Sequence, residues 1–176
     1  AKQAKIIHLD IDPAEIDKNV PVTVPVWGDC KETLPMLTAL LVQNDHKDWL
    51  AKFRELEQEE IQEVIESELN PTSDVLSMGE VIKVLNELTG GEAIIVTDVG
   101  QHQMVACRYA NFKHSRSNIT SGGLGTMGFG LPAAIGAKYG APDRTVVAIC
   151  GDGGIQMTIQ EFGTIMQFGA AVKTLI

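Results

Sequence analysis

Three short segments combine glycines with side chains that can bind a phosphate group or a divalent cation. The first, Cys150-Gly151-Asp152-Gly153-Gly154, surrounds one carboxylate with three glycines. Glycines let the backbone N–H groups approach a ligand closely, and the carboxylate offers a hard oxygen ligand for Mg2+. The segment therefore predicts a metal-bridged phosphate site. The alternative is a tight turn in which Asp152 caps the helix that follows.

The second segment, Ser121 to Gly136, has six glycines in sixteen residues. It contains Gly123-x-Gly125-x-x-Gly128, which matches the dinucleotide fingerprint of nicotinamide-binding Rossmann domains. The context argues against that interpretation. The strand before the fingerprint is short and polar, and the acid expected to bind a ribose, Asp152, lies among glycines instead of at the end of its strand.

The third segment runs from Asp98 to Met104 and contains His102 between two glutamines. These side chains could hold a phosphate or a substrate. Taken alone, the segment is equally well explained as the polar start of a helix.

A stretch typical of a strand precedes each of the three segments, apolar before the first and the third but short and polar before the second. Buried strands are expected at Ala93–Thr97 and Thr145–Cys150, a brief one at Asn118–Thr120, and another from Val172 onward. Helices are expected between them, at Val81 to Leu88 before Gly90-Gly91, Gln103–Tyr109, Leu131–Tyr139 and Gln156–Phe168, with Gly151–Gly154 as a loop. This alternation predicts an α/β fold, a parallel sheet flanked by helices, with Gly100, Gly125 and Gly153 converging at the carboxyl ends of its strands.

The first 44 residues predict the tail of another α/β domain. Ala4–Ile11 is typical of a strand, Asp12 of a helix cap before Pro13, and Val20–Trp27, with two prolines, of an edge strand or an extended loop. A helix at Lys31–Leu41 would cover these strands.

Residues 45–75 are predicted to form an acidic linking helix and a linker. Nine acids and three bases lie between Asp45 and Leu69, with apolar residues at helical spacing. A solvated face explains the acids better than a partner-binding surface does. The domain boundaries are thus expected at 1–44, 45–75 and 76–176.

The charge, the hydropathy and the cysteine content of the chain argue against several kinds of binding partner and site. The net charge is −9, and 16 of the 23 acids lie in residues 1–75. This charge argues against a basic surface that would bind nucleic acid or an anionic membrane. No apolar run approaches the length of a membrane span. Three widely spaced cysteines fit buried thiols in a reducing compartment better than a disulfide framework or a zinc site.

Together the three segments resemble the thiamine diphosphate enzymes, and closely the acetolactate synthase (acetohydroxyacid synthase) catalytic subunits. The resemblance rests on Val99 to Met104, Ser121 to Gly128 and Gly151-Asp152-Gly153, in that order. Residues 7–13 and Gly28-Asp29 resemble the end of the central, FAD-binding domain of that family. Val105 departs from the pattern, where a tryptophan is expected. The chain opens without methionine and stops in an apolar run, so we expect an internal fragment of a longer subunit.

The resemblance implies a set of cofactor-binding residues. Thiamine diphosphate would be held by the loop residues Gly100, Gln101, His102, Gly125, Met127, Gly151, Asp152, Gly153 and Gly154. Met127 would pack beneath the cofactor and support its bent, V-shaped conformation, and Asp152 would ligate Mg2+. Structural FAD would contact Asp10, Ile11, Asp29 and Cys30. The essential glutamate belongs to the family's N-terminal domain, so the resemblance implies no catalytic residue in these 176 residues and no activity of the chain alone.

The resemblance also implies a reaction and partners. The full-length subunit would be a transferase that condenses two pyruvates, or pyruvate and 2-ketobutyrate, to 2-acetolactate or 2-aceto-2-hydroxybutyrate with release of CO2. This step belongs to the biosynthesis of isoleucine, valine and leucine. A homodimer or homotetramer, a small regulatory subunit and a cytoplasmic location in a bacterium are expected.

Two alternatives to this function remain open. The parent could be another thiamine diphosphate enzyme, of the pyruvate oxidase or glyoxylate carboligase type. From a different class, the chain could be a non-catalytic Rossmann-like phosphate-binding module.

Overall fold

A computed structural model describes residues 3–176 of the chain. The chain divides into two compact units, Ala1–Lys52 and Phe53–Ile176. Within the described residues, no helix combines the length and the apolar character that crossing a membrane requires. The predicted boundaries at residues 44 and 75 stay a prediction.

The first unit contains two parallel strands and a helix. Strand β1 (Ile7–Asp10) pairs with β2 (Val24–Trp27), and helix α1 (Cys30–Leu40) follows. The predicted cap is confirmed, because Asp12 Oδ1 accepts a hydrogen bond from the Ala14 N–H at 2.9 Å. It begins a 3₁₀ turn at Pro13–Glu15. Of the proline-containing segment predicted at Val20–Trp27, only Val24–Trp27 is a strand, and it pairs with β1.

The acidic segment is helical, as predicted, but it is not one regular α-helix. Helix α2 (Lys47–Glu60) continues through a π-helical stretch, Ile61–Ile65, into α3 (Glu66–Leu69). Two of its acids contact helix α5 (Gln101–Tyr109): Glu60 lies 2.5 Å from Nη2 of Arg108, and Glu68 accepts a hydrogen bond from the Tyr109 hydroxyl. The acidic face is therefore mostly exposed and partly paired.

The second unit is a four-stranded parallel sheet flanked by helices, which confirms the predicted fold class. Its strands, in the spatial order β4-β3-β5-β6, are β3 (Ile94–Thr97), β4 (Asn118–Thr120), β5 (Val146–Ile149) and β6 (Val172–Leu175). Besides α3, α5 and the part of α2 from Phe53 onward, its helices are α4 (Met78–Thr89), α6 (Gly130–Gly140), α7 (Asp152–Met157) and α8 (Glu161–Phe168).

The two faces of the sheet are buried under different helices. Ile94 and Val96 pack with Leu131 of α6 on one face, whereas Ile95 packs with Ile82 of α4 on the other. Successive side chains of a strand point to opposite faces, so every residue of β3 and β5 is buried. This double burial explains why both central strands are continuous apolar runs.

Helix boundaries differ from prediction at the glycine-rich segments. Helix α5 begins at Gln101 instead of Gln103, and the predicted loop Gly151–Gly154 is instead the N-cap, Gly151, and the first three residues of α7. The predicted helix Gln156–Phe168 is confirmed over Glu161–Phe168, which is α8, but it is not one helix: Gln156 and Met157 end α7, and residues 158–160 separate the two helices. The end of α4 is as predicted, with Gly90 in the left-handed conformation at φ 56°.

Candidate functional site

The three glycine-bearing segments meet at the carboxyl edge of the sheet. They follow β3, β4 and β5, whose parallel pairing brings these ends to one side. A Cβ atom on Gly151 would lie 3.1 Å from His102 Cε1, one on Gly125 would lie 3.8 Å from Val99, and one on Gly153 would lie 3.3 Å from Met127 Cε. The predicted convergence is confirmed.

The first segment turns sharply at Gly100 to begin α5. Its φ of 153° with ψ of −165° is a conformation that side chains rarely adopt, and a Cβ there would meet the His102 ring at 2.8 Å. Burial lowers the pKa of His102, against the opposing effects of the Asp98 charge and of a hydrogen bond to the Asp98 backbone. Burial thus favours the uncharged form of the ring, and its buried Nε2 has no hydrogen-bond partner within residues 3–176.

The second segment is a turn that presents Met127. The Ser121 carbonyl accepts a hydrogen bond from the Gly125 N–H at 2.7 Å, and the Ser121 hydroxyl accepts one from the Thr126 N–H at 3.1 Å. Gly125 has φ 63°. Met127 stands half-exposed at the end of this turn.

Gly128, which closes the possible dinucleotide fingerprint, packs against α7. A Cβ on this residue would lie 3.0 Å from Met157 and 3.2 Å from Thr158. In a dinucleotide-binding domain the corresponding glycine opens the helix that directly follows the fingerprint strand. Here α6 begins only at Gly130. The geometry therefore disfavours the nicotinamide interpretation.

The third segment forms the first turn of α7. Gly151 is its N-cap residue without a side-chain cap bond, so the alternative in which Asp152 caps the helix is not what the structure has. Asp152 is the first helical residue and is exposed, whereas Gly154 is buried. The carboxylate is thus accessible at the edge where the three segments meet.

The residue that the sequence analysis missed is Asp98, at the end of β3. It is buried, and its Oδ2 accepts a hydrogen bond from the Gly128 N–H at 3.0 Å. The sequence signal that could have identified it is its position directly after four apolar or β-branched strand residues. A carboxylate at the end of such a buried strand is itself expected to be buried, and a buried carboxylate requires hydrogen-bond partners.

Val105, where the resemblance predicts a tryptophan, packs against the core cluster on the α4 and α5 face of the sheet. It also lines an apolar cavity, together with His102 and Cys150.

The cysteines only partly match the expectation of buried thiols. Cys150 is 2% exposed, whereas Cys30 and Cys107 are exposed, which corrects the prediction for those two. Both lie in helices, α1 and α5, on faces that the described residues leave open. Burial and the nearby Asp98 charge raise the pKa of Cys150 to about 11.

This difference predicts selective alkylation. At pH 8 the raised pKa lowers the thiolate fraction of Cys150 about 100-fold relative to an ordinary thiol, and burial restricts access further. Iodoacetamide should therefore label Cys30 and Cys107 in the native chain and Cys150 only after denaturation. Peptide mass spectrometry measures each site. Native labelling of Cys150 at the rate of Cys107 would contradict the structure.

The four residues predicted to contact FAD lie in the first unit, at the carboxyl ends of its two strands. Asp10 ends β1 and Ile11 follows it, while Asp29 and Cys30 follow β2. A backbone hydrogen bond joins the two strand ends, since the Gly28 N–H donates to the Asp10 carbonyl at 2.9 Å. Asp29 also caps α1 by accepting from the Lys31 N–H.

The described residues were also searched for metal sites. Residues 3–176 hold no group of three or more His, Cys, Asp or Glu side chains that could bind a metal ion.

The site fits a diphosphate-bearing cofactor. It combines glycines without side-chain bulk, the buried unpartnered Nε2 of His102, the N-terminus of the nine-residue helix α5 and the exposed Asp152 carboxylate. A helix N-terminus attracts phosphate, and a carboxylate attracts the cation that accompanies it.

Comparison with known proteins gives two matches to sequence families. Residues 98–176 match "Thiamine pyrophosphate enzyme, C-terminal TPP binding domain", and residues 1–37 match "Thiamine pyrophosphate enzyme, central domain".

Individual relatives match along almost the entire chain. It is 44% identical to an acetolactate synthase large subunit of Lactococcus lactis over 100% of its length. It is also 44% identical to acetolactate synthase 1, chloroplastic, of Nicotiana tabacum over 100% of the chain. It is 41% identical to the acetolactate synthase isozyme 3 large subunit of Escherichia coli over 94% of the chain. The matched region spans 30%, 26% and 29% of these relatives, respectively.

Proposed function

Because the chain belongs to the thiamine pyrophosphate (diphosphate) enzymes, with acetolactate synthase large subunits as relatives along its length, we propose that it is the cofactor-binding part of an acetolactate synthase. The reaction would condense two pyruvates, or pyruvate and 2-ketobutyrate, with loss of CO2, in branched-chain amino acid biosynthesis. The observation that carries the proposal is the convergence of three glycine-bearing segments around Met127 and Asp152.

Each segment has a distinct part in binding the cofactor. When bound, thiamine diphosphate supplies the electron sink needed to break a carbon–carbon bond beside a carbonyl group. The chain's own residues bind and orient it. Gly125 and Met127 would hold and support the pyrimidine end, while Gly100, Gln101 and His102 would face the diphosphate.

The start of α7 would complete the diphosphate site. Asp152 would ligate Mg2+, and Gly151, Gly153 and Gly154 would allow the backbone to approach the phosphate oxygens. Mg2+ prefers oxygen ligands and commonly combines one or two carboxylates with phosphate and water. The single exposed carboxylate of Asp152 suits that coordination.

The first unit is proposed to contribute to a structural FAD site. Asp10, Ile11, Asp29 and Cys30 gather at one edge of the β1–β2 pair, which supports this assignment. FAD there would take no part in electron transfer.

The assembly is proposed by analogy with the relatives. Because several of them are named large subunits, a small regulatory subunit is a candidate partner, alongside self-association into a homodimer or homotetramer.

Calorimetric titration tests the proposal. The full-length protein should bind thiamine diphosphate in a Mg2+-dependent manner and should not bind NAD. With pyruvate it should form acetolactate, which is measured colorimetrically after conversion to acetoin. Binding of NAD, or no response to thiamine diphosphate with Mg2+, would refute the function. Release of peroxide or condensation of glyoxylate instead would assign it to one of the alternative thiamine diphosphate enzymes.

A further inference from the structure

Asp98 is a buried carboxylate that the proposed cofactor contacts do not use. It is 1% exposed, and it does not cap a helix, because α5 begins after Gly100 without a side-chain cap bond. A buried charge is unfavourable unless it is hydrogen-bonded. Its Oδ2 accepts from the Gly128 N–H at 3.0 Å, while Oδ1 has no partner within the described part of the chain. The bond to Gly128 therefore holds the orientation of the carboxylate.

Two glycines allow other elements to close around Asp98. A Cβ on Gly154 would lie 1.9 Å from Asp98 Oδ2, and one on Gly130 would lie 2.9 Å from the Asp98 nitrogen. Such distances are far below van der Waals contact. The starts of α6 and α7 therefore both pack directly on this residue.

These contacts join the two ends of the proposed cofactor site. Gly128, with φ 82°, directly follows Met127, and Gly154 lies in the same helical turn as Asp152. One carboxylate thus binds the backbone beside Met127 and packs against the backbone beside Asp152.

We propose that Asp98 is a positioning residue that locks the Met127–Gly128 turn against the first turn of α7. The lock sets the spacing between Met127 and Asp152. Its consequence for cofactor binding rests on the function proposed above, whereas the lock itself is a property of the described residues.

Three variants of the full-length protein separate this role from general stability. Asp98→Ala removes the bond to Gly128, and Asp98→Asn keeps an oxygen acceptor of the same shape but lacks the charge. Ser117→Ala is the matched control, because Ser117 is also 1% exposed, accepts a hydrogen bond from Arg144 at 2.8 Å and lies before β4, at the other edge of the sheet.

Each variant is measured in three ways: thermal unfolding without cofactor, hydrogen exchange of the peptide that contains Gly128, and the Kd for thiamine diphosphate with Mg2+. Because a hydrogen bond to a charged group is stronger than a neutral one, Asp98→Ala should weaken binding by about 10-fold or more, with Asp98→Asn intermediate. Exchange at Gly128 should accelerate in the same order. Ser117→Ala should change Kd by less than about threefold at a similar loss of stability.

Several results would overturn the proposal. A Kd for Asp98→Ala within threefold of the wild type would do so, as would unchanged exchange at Gly128 or an equal effect of Ser117→Ala. If Asp98→Ala does not fold, the Kd of Asp98→Asn and its hydrogen exchange at Gly128 decide instead. A wild-type protein that binds no thiamine diphosphate would refute the proposed function, and exchange at Gly128 would still decide for or against the lock.

Discussion

Replacement of Gly154 by alanine is expected to destabilise the chain by about 3 kcal/mol, because the added methyl group overlaps a buried carboxylate. The new Cβ would lie 1.9 Å from Asp98 Oδ2 and 2.8 Å from its Cγ. Asp98 cannot withdraw without leaving the Gly128 N–H, and the start of α6 closes its other side. Denaturant unfolding of the 176-residue chain measures the change.

The chain offers a matched control for this substitution. Gly163 is also the third residue of its helix, α8, but it is exposed, and a Cβ there would meet no atom within 4 Å. Gly163→Ala should be neutral or stabilise by up to about 1 kcal/mol, since alanine favours the helix. Equal effects of Gly154→Ala and Gly163→Ala would show that the close approach at Asp98 is incorrect.

Asp152→Asn is expected to abolish the contribution of Mg2+ to thiamine diphosphate binding. Loss of a residue that merely supports a metal ligand lowers affinity about 10- to 100-fold, so loss of the proposed ligand itself should lower it by about 100-fold or more. Calorimetric titration of the full-length protein with and without Mg2+ measures this. The wild type should bind more tightly with the cation, and the variant should bind equally weakly in both conditions.

Asp143→Asn controls for the lost charge. It changes the net charge by the same amount, and Asp143 is exposed in the turn before β5, at the opposite edge of the sheet. This variant should retain the full response to Mg2+. A strong response that survives in Asp152→Asn would remove Asp152 from the metal site.

The sheet and the meeting of its loops could be predicted because their signals are local. The apolar runs around Val96 and Val147 encode doubly buried strands, and Gly90 marks the end of α4 through its left-handed conformation. Parallel strands bring their carboxyl ends together, so the positions of Gly100, Gly125 and Gly153 followed from topology alone.

Features that depend on approaches between distant segments could not be predicted. Three glycines favour a loop by their own propensity, yet α7 begins at Asp152, and its third residue, Gly154, packs directly on Asp98. Local sequence gives no sign of which glycine faces which carboxylate. The exposure of Cys30 and Cys107 likewise depends on what packs against α1 and α5, which residue type alone does not specify.

The strand order β4-β3-β5-β6 also bears on the kinetics of folding. Parallel neighbours cannot be joined by a tight turn, so each pairing must close a long loop before it gains any hydrogen bonds. Strand β3 pairs with β4 and with β5, and α6 lies in the connection between those two partners. The pairing of β3 with β5 therefore closes a loop that contains α5, β4 and α6, and such a non-local contact favours slow folding of the second unit.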